Sequence, residues 1–238
     1  LNEIPQGKLT EAHFATDEVT VLKPGDGEVL IQTLLLSQDA ANRAWMQGAT
    51  YRSALSSGQV MSSGGLGRVV ESNDARFAAG DIVAGDLGWQ EYAVLPGNEV
   101  AAQHPHQGPL SHGLSLLGVA GLTAYHGLIN VPGIHAGEVL LVSAAGGSVG
   151  SLVGQIGKIK GATVIGVAGG PEKCQWVVDT LGFDACLDYK DTQSPLRDQL
   201  KAAAPEGIDV YFDNTGGEIL QTARRGACRA ACLPPPPP

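Results

Sequence analysis

The stretch Val139-Leu-Leu-Val-Ser-Ala-Ala-Gly-Gly-Ser-Val-Gly-Ser-Leu-Val-Gly-Gln-Ile-Gly-Lys158 decides the fold. Val139–Val142 is a continuous apolar run, the pattern of a strand buried on both faces. After a cluster of small residues, Val149, Leu152, Val153, Ile156 and Ile159 return at the spacing of one helical face. Between strand and helix stands Ala145-x-Gly147-x-x-Gly150, a dinucleotide fingerprint with Ala in place of its first Gly. In such a turn the second glycine lets the backbone approach a pyrophosphate and the third allows close helix–strand packing. The helix N-terminus then presents free N–H groups to the anion.

Working outward, the alternation repeats. Strands are predicted at Val139–Val142, Thr163–Val167, Ala185–Tyr189 and Ile208–Phe212, with helices at Val149–Lys160, Pro171–Leu181 and Pro195–Ala203 and a helical stretch over Leu114–Leu128. Apolar strands separated by helices mean a parallel sheet covered on both faces. Its expected strand order is 3-2-1-4, which leaves Ile208–Phe212 as an unpaired edge. Upstream, to about Gly113, short apolar runs such as Glu28-Val-Leu-Ile-Gln-Thr-Leu and Glu91-Tyr-Ala-Val-Leu alternate with Gly, Pro and Asp turns. That spacing predicts a small antiparallel barrel or sandwich, with Ala101–His112 as a connection. Beyond Gly216-Gly217 the run Arg224-Arg-Gly-Ala-Cys-Arg-Ala-Ala-Cys-Leu and the prolines Pro234–Pro238 follow neither period. The expectation there is a disordered or non-native tail.

Composition narrows the function classes. With 43% hydrophobic and 16% charged residues, the chain cannot be a highly charged disordered segment. The 33 glycines and 14 prolines stay below the level of a low-complexity chain, which assigns the glycines to turns and close backbone approaches. A net charge of −9 repels polyanions, so no nucleic-acid partner is expected. No apolar run reaches the roughly 18 residues of a membrane span, and Leu1–Thr10 lacks the basic start and apolar core of a signal peptide. The expectation is a cytoplasmic protein with no membrane partner. Four cysteines do not make a disulfide framework. His104-x-His106 and Cys228-x-x-x-Cys232 are pairs without further ligands, so no metal is expected.

The choice of cofactor turns on the second strand. An NAD site usually places Asp or Glu at its end to bond the ribose 2′-hydroxyl, whereas this chain has Gly166-Val-Ala-Gly-Gly170 there. Lys173 follows, where a cation can pair with a 2′-phosphate. The alternative is a solvated lysine balanced by Glu172. NADP(H) is favoured.

These residues resemble a known family. Leu117-Gly-Val-Ala-Gly-Leu-Thr-Ala-Tyr-His-Gly127, the glycine loop with its helix, Gly169-Gly-Pro-Glu-Lys-Cys174 and Gly207-Ile-Asp-Val-Tyr-Phe-Asp-Asn-Thr-Gly-Gly217 are similar to the zinc-independent medium-chain dehydrogenase/reductases. Within that superfamily the resemblance is to the prostaglandin and 2-alkenal reductases, and Gly64-Gly-Leu-Gly-Arg-Val-Val-Glu-Ser72 and Gly88-Trp-Gln-Glu-Tyr-Ala93 extend it upstream. It implies an α/β fold with a GroES-like β-barrel domain over residues 1–113, a doubly wound Rossmann NADP-binding domain over 114–223 and an atypical tail over 224–238. It implies that Gly147, Ser148, Val149 and Gly150 contact the pyrophosphate and that Lys173 and Tyr189 hold the 2′-phosphate. Asn214 would lie at the ribose side and Thr123 near the nicotinamide. Tyr51 is the one candidate catalytic side chain, as a lining residue of the substrate pocket, against the plainer reading of an exposed loop tyrosine.

The implied reaction is hydride transfer from NADPH to the β-carbon of an α,β-unsaturated aldehyde or ketone. A quinone reductase and a non-catalytic NADP-binding fragment are the alternatives. Two segments depart from the family: Asp39-Ala-Ala-Asn-Arg43 stands for Asp-Pro-Tyr-Met-Arg, and Gly118-Val-Ala-Gly121 for Gly-Met-Pro-Gly. The family also continues into a C-terminal part carrying a nicotinamide loop, a catalytic tyrosine and the strand that joins its dimers. Without that part the nucleotide domain is expected to be incomplete, and either a homodimer forms through a different edge or the real chain is longer.

Overall fold

The computed structural model describes residues 1–50, 52–103, 107–225 and 230–232, the last three through their backbone alone. The chain divides into two compact units, Leu1–Leu114 and a second beginning at Ser115.

In the first unit β1 (Glu28–Leu36), β2 (Gly64–Ser72), β3 (Ile82–Asp86), β4 (Tyr92–Pro96) and β5 (Ala101–Ala102) form an antiparallel sheet in the order β4-β1-β2-β3-β5. Alternation along the strands sends Val29, Ile31, Val69, Val83 and Ala93 into one core with Phe77, Leu87 and Val100. The segment expected to be a plain connection contributes β5. A short helix, α1 (Ala40–Trp45), is one that periodicity could not reveal, since it spans under two turns. Its signal is the cap: Asp39 Oδ1 accepts from Ala41 N at 3.0 Å, and Asn42 Oδ1 accepts from Asp39 N at 2.8 Å. Arg43, from the same departing segment, ties the N-terminal stretch down by donating from Nη2 to the Gly7 carbonyl at 2.9 Å.

The second unit is the parallel sheet. α2 (Val119–Tyr125) leads to β6 (Val139–Ser143), α3 (Ser148–Ile159), β7 (Thr163–Ala168), α4 (Pro171–Asp179), β8 (Ala185–Asp188), α5 (Leu196–Ala203), β9 (Val210–Phe212), α6 (Gly217–Arg225) and β10 (Ala230–Cys232). The order is β10-β9-β6-β7-β8, all parallel. Successive residues of each strand feed opposite layers. Leu140, Val142, Val164 and Phe212 pack with Val153, Val177 and Phe183 on one face, while Leu141, Ile165 and Tyr211 pack with Leu200, Leu220 and Ala223 on the other. The doubly wound reading therefore holds. α3 lies very close to the sheet: a Cβ at Gly154 would collide with the Phe183 ring, and one at Gly157 would stand 2.7 Å from Leu140 Cδ2.

Three expectations need correction. The helical stretch begins at Val119 rather than Leu114, because a 3-10 turn over Leu110–Gly113 and an extended Gly118 precede it. The segment beyond Gly216-Gly217 is not structureless over its described part. Ile219, Leu220 and Ala223 put one helical face of α6 into the second core layer, and Ala230–Cys232 pairs in parallel with Val210–Phe212. The fourth strand is consequently not an open edge. The prolines Pro234–Pro238 lie outside the described residues.

Candidate functional site

Because β6 to β10 run parallel, their C-terminal ends share one edge of the sheet. The chain winds from β6 outward through β7 and β8, then returns to place β9 on the other side of β6. That reversal is a topological switch point, where a crevice opens beyond the strand ends.

The glycine loop occupies this edge. Ala144, directly after β6, has φ 48° and is alone among the described non-glycine residues in adopting a positive φ. This left-handed conformation costs an L-residue roughly 1–2 kcal/mol. It turns the chain so that Gly147 N donates to Ala144 O at 2.8 Å and Gly147 becomes the N-cap of α3. No side chain caps that helix, so the amides of its first turn, Ser148, Val149 and Gly150, are the groups an anion would meet. Gly150 is buried against the loop, and a Cβ there would collide with the Ala144 carbonyl. A Cβ at Gly146 would lie 3.1 Å from Cγ and Cδ of Lys173. The stem of exposed Lys173 thus runs over the loop.

β7 ends at Ala168 with no carboxylate at its end, Gly169 and Gly170 following directly. Instead Tyr189, half exposed, packs its ring on Gly169, where a Cβ would stand 2.8 Å from the phenol oxygen. Lys190 Nζ lies 5.9 Å from the Tyr189 ring centroid. A carboxylate at this edge, Asp188, comes from β8, and its Oδ1 accepts from Gly170 N at 2.8 Å and Lys190 N at 2.9 Å. These two amides, Gly170 foremost, hold its carboxyl below the ordinary value. Lys190 acts on a carboxylate that is already bonded to main chain, and both Lys173 and Lys190 are exposed.

At the switch point itself a buried network joins the ends of β6 and β9. Asp213 Oδ1 accepts from Ser143 Oγ at 3.1 Å, Tyr211 Oη at 2.8 Å, Thr215 N at 3.0 Å and Gly216 N at 2.9 Å. Burial opposes ionisation of Asp213, but those two amides and two hydroxyls outweigh it and set the carboxyl below its ordinary value. Burial likewise pushes the Tyr211 hydroxyl well up. Asn214 completes the bridge, donating from its backbone N–H to Ser143 Oγ at 2.7 Å and from Nδ2 to the Ser143 carbonyl at 2.8 Å.

Gly147, Ser148, Val149, Gly150, Lys173, Tyr189 and Asn214 are thereby gathered on one edge. Thr123 stands exposed on α2, a helix packed against α3, and no described side-chain hydrogen bond links it to the others. Tyr51 lies outside the described residues. Ser143, Tyr211 and Asp213 are participants that sequence reasoning passed over. Their signal was a polar pair, Asp213-Asn214, set directly after a buried apolar strand.

The edge fits a dinucleotide: an uncapped helix start, main chain packed too closely to admit a Cβ, and cations rather than a free carboxylate at the ribose end. Among the described residues no group of three or more His, Cys, Asp or Glu stands together as metal ligands. No helix among them is long and apolar enough to cross a membrane.

Comparison with known proteins agrees with this geometry. Residues 1–102 match the family described as the N-terminal domain of oxidoreductase, and residues 148–230 match the one described as zinc-binding dehydrogenase. The chain is 42% identical over 217 residues to NADPH-dependent curcumin reductase of Escherichia coli, covering 91% of this chain and 62% of that protein. It is also 42% identical over 220 residues to bovine prostaglandin reductase 1, covering 91% and 64%. A crystal structure of CurA from Vibrio vulnificus in complex with NADPH superimposes with a TM-score of 0.87 at 38% identity, over 94% of this chain and 66% of that one. The chain thus spans just under two thirds of the length of these relatives.

Proposed function

We propose that the chain belongs to the medium-chain dehydrogenase/reductase superfamily, that its second unit binds NADP(H), and that the protein reduces the carbon–carbon double bond of α,β-unsaturated aldehydes or ketones; the matches to oxidoreductase family models and to NADPH-dependent curcumin reductase support this. The observation that carries the cofactor reading is the ribose end of the edge, where Lys173 crosses the glycine loop, Tyr189 packs on Gly169 and the Asp188 carboxylate is taken up by main-chain amides. A 2′-phosphate would meet cations there, and a guarding carboxylate for an unmodified ribose is missing. The names of the relatives, curcumin reductase and prostaglandin reductase, support the substrate class.

When bound, NADPH supplies a hydride. This chain's part is binding and orientation. The first-turn amides of α3 take the pyrophosphate, with Lys173 and Tyr189 at the 2′-phosphate. Asn214 is held by Ser143 at the switch point, toward the ribose. Thr123 is assigned to the nicotinamide side and Tyr51 to the substrate pocket. Reduction of an enone builds negative charge on the carbonyl oxygen, and a well-placed donor there is worth on the order of 3–4 kcal/mol. No side chain of this chain is assigned that proton. We place the protein in the cytoplasm, as a homodimer.

The test is a thermal shift with NADPH and NADH, followed by NADPH oxidation with an added enal, enone or quinone. Selective stabilisation by NADPH and oxidation driven by the enal or enone are expected. Equal stabilisation by both nucleotides removes the role of Lys173. Turnover of quinone alone makes the protein a quinone reductase, and tight NADPH binding without turnover makes it a binding fragment.

A further inference from the structure

We propose that Cys174 and Cys186 form a reversible disulfide under peroxide, and that this cross-link weakens NADPH binding at the adjoining 2′-phosphate end. The topology brings the two residues together. In the β7–β8 register Cys186 is the partner of Gly166. The missing side chain at Gly166 lets α4 settle there, for a Cβ at that glycine would stand 3.2 Å from Val177 Cγ1. Cys174 precedes Val177 by three residues and so shares its helix face. Both cysteines line one open cleft of about 620 Å³ beside β8, together with Gln175, Asp188, Lys190 and Gln199. Cys174 is buried and Cys186 half-buried, and Cys174 is among the groups that act on the Cys186 thiol. Burial above all, then Cys174 and Asp188, hold that thiol far above its ordinary value.

Oxidation would proceed in two balanced steps. One thiol sulfur attacks hydrogen peroxide, its S–H proton leaves with the displaced oxygen as water, and a sulfenic acid remains. The second sulfur then attacks the first, forming the S–S bond as the S–O bond breaks and a second water departs. Two thiols are oxidised and one peroxide is reduced. A disulfide fixes its Cβ atoms roughly 3.5–4.5 Å apart. Cys174 follows Lys173, whose stem lies over Gly146, while Cys186 lies two residues before Asp188, which holds Gly170. Clamping α4 to β8 therefore acts on the elements that present the cations of the ribose end.

The effect on affinity rests on the cofactor reading; the cross-link does not. The test exposes the whole chain to hydrogen peroxide, maps peptides without reduction by mass spectrometry, and measures NADPH affinity before and after. A Cys174–Cys186 cross-linked peptide that dithiothreitol reverses is expected, with a rise in Kd of about fivefold, at the low end of common couplings. Cys186→Ser and Cys174→Ala should each abolish the cross-link and the affinity response while leaving the affinity of the reduced protein unchanged. Free or over-oxidised thiols in folded protein overturn the disulfide. A cross-link with unchanged Kd overturns the coupling. Reduced protein that fails to bind NADPH overturns the cofactor reading and the coupling with it, whatever the peptide map shows.

Discussion

Asp213→Ala removes the acceptor that holds the switch point together, and its cost follows from the donors it strands. Tyr211 and Ser143 are fully buried, and both hydroxyls donate to Asp213 Oδ1. Left unpaired, each buried donor costs about 1–3 kcal/mol. The amides of Thr215 and Gly216 sit in an outer turn and can turn to water, so they add less. The sum is about 3–6 kcal/mol, a large share of the 5–15 kcal/mol that typically separates folded from unfolded chains. Asp213→Asn keeps an oxygen acceptor and loses only the charge, and charge-assisted bonds are about twice as strong as neutral ones. Its cost should be about 1–2 kcal/mol. Urea unfolding gives the two losses, and hydrogen exchange should place them on the amides of β6 and β9 ahead of the rest of the sheet. An Ala variant that loses less than about 1 kcal/mol, or an Asn variant that loses as much as Ala, would refute the reasoning. The same carboxyl makes a pH prediction. Its folded value is depressed, so its contribution is complete above the ordinary carboxyl value near 4 and disappears as pH falls through the depressed value. Asp213→Asn should therefore flatten the acid limb of stability below about pH 4 relative to the parent, measured by acid unfolding.

Lys173→Ala should weaken NADPH by about 10- to 100-fold, the worth of one charge-assisted bond, and leave NADH nearly unchanged in calorimetric titration; equal losses would remove its phosphate role. Gly150→Ala forces a Cβ into the Ala144 carbonyl, so it should lower Tm and abolish NADPH stabilisation together, and an unchanged NADPH shift would count against the loop. Gly154→Ala should cost about 1–3 kcal/mol by overpacking against Phe183. Phe183→Leu in the same chain should recover part of that loss in a double-mutant cycle, whereas strict additivity would show that the ring can move aside.

The second unit was legible in the sequence because its signals are local. Val139–Val142 followed by Ala145-x-Gly147-x-x-Gly150 and a 3.6-residue apolar repeat encodes strand, turn and helix within one stretch, and the elements from β6 to β9 start within a residue or two of their expected positions. What escaped depends on partners distant along the chain. Ser143 and Asp213 lie 70 residues apart and meet at 3.1 Å only because β9 returns to pair with β6. Cys174 and Cys186 meet because the partner of Cys186 across the strands is a glycine. α6 was missed because Ile219, Leu220 and Ala223 are too few to stand out as a period beside the arginines that follow. β10 was missed because Ala230–Cys232 carries little strand propensity of its own and owes its pairing to the open side of β9.

The glycines of α3 have a consequence for how this unit tolerates sequence drift. Gly150, Gly154 and Gly157 lie on one side of the helix, against the Ala144 carbonyl, the Phe183 ring and the Leu140 side chain. At Gly150 the fit is main chain against main chain. The height of the glycine loop above the sheet is thus referenced to backbone at its inner end and to thin, side-chain-free helix along its length. Exchanges among the aliphatic residues elsewhere in the core can accumulate without displacing the loop. Change at these three small positions shifts it directly, so variation should be freest where the core is bulkiest and most restricted where the helix has no side chains at all.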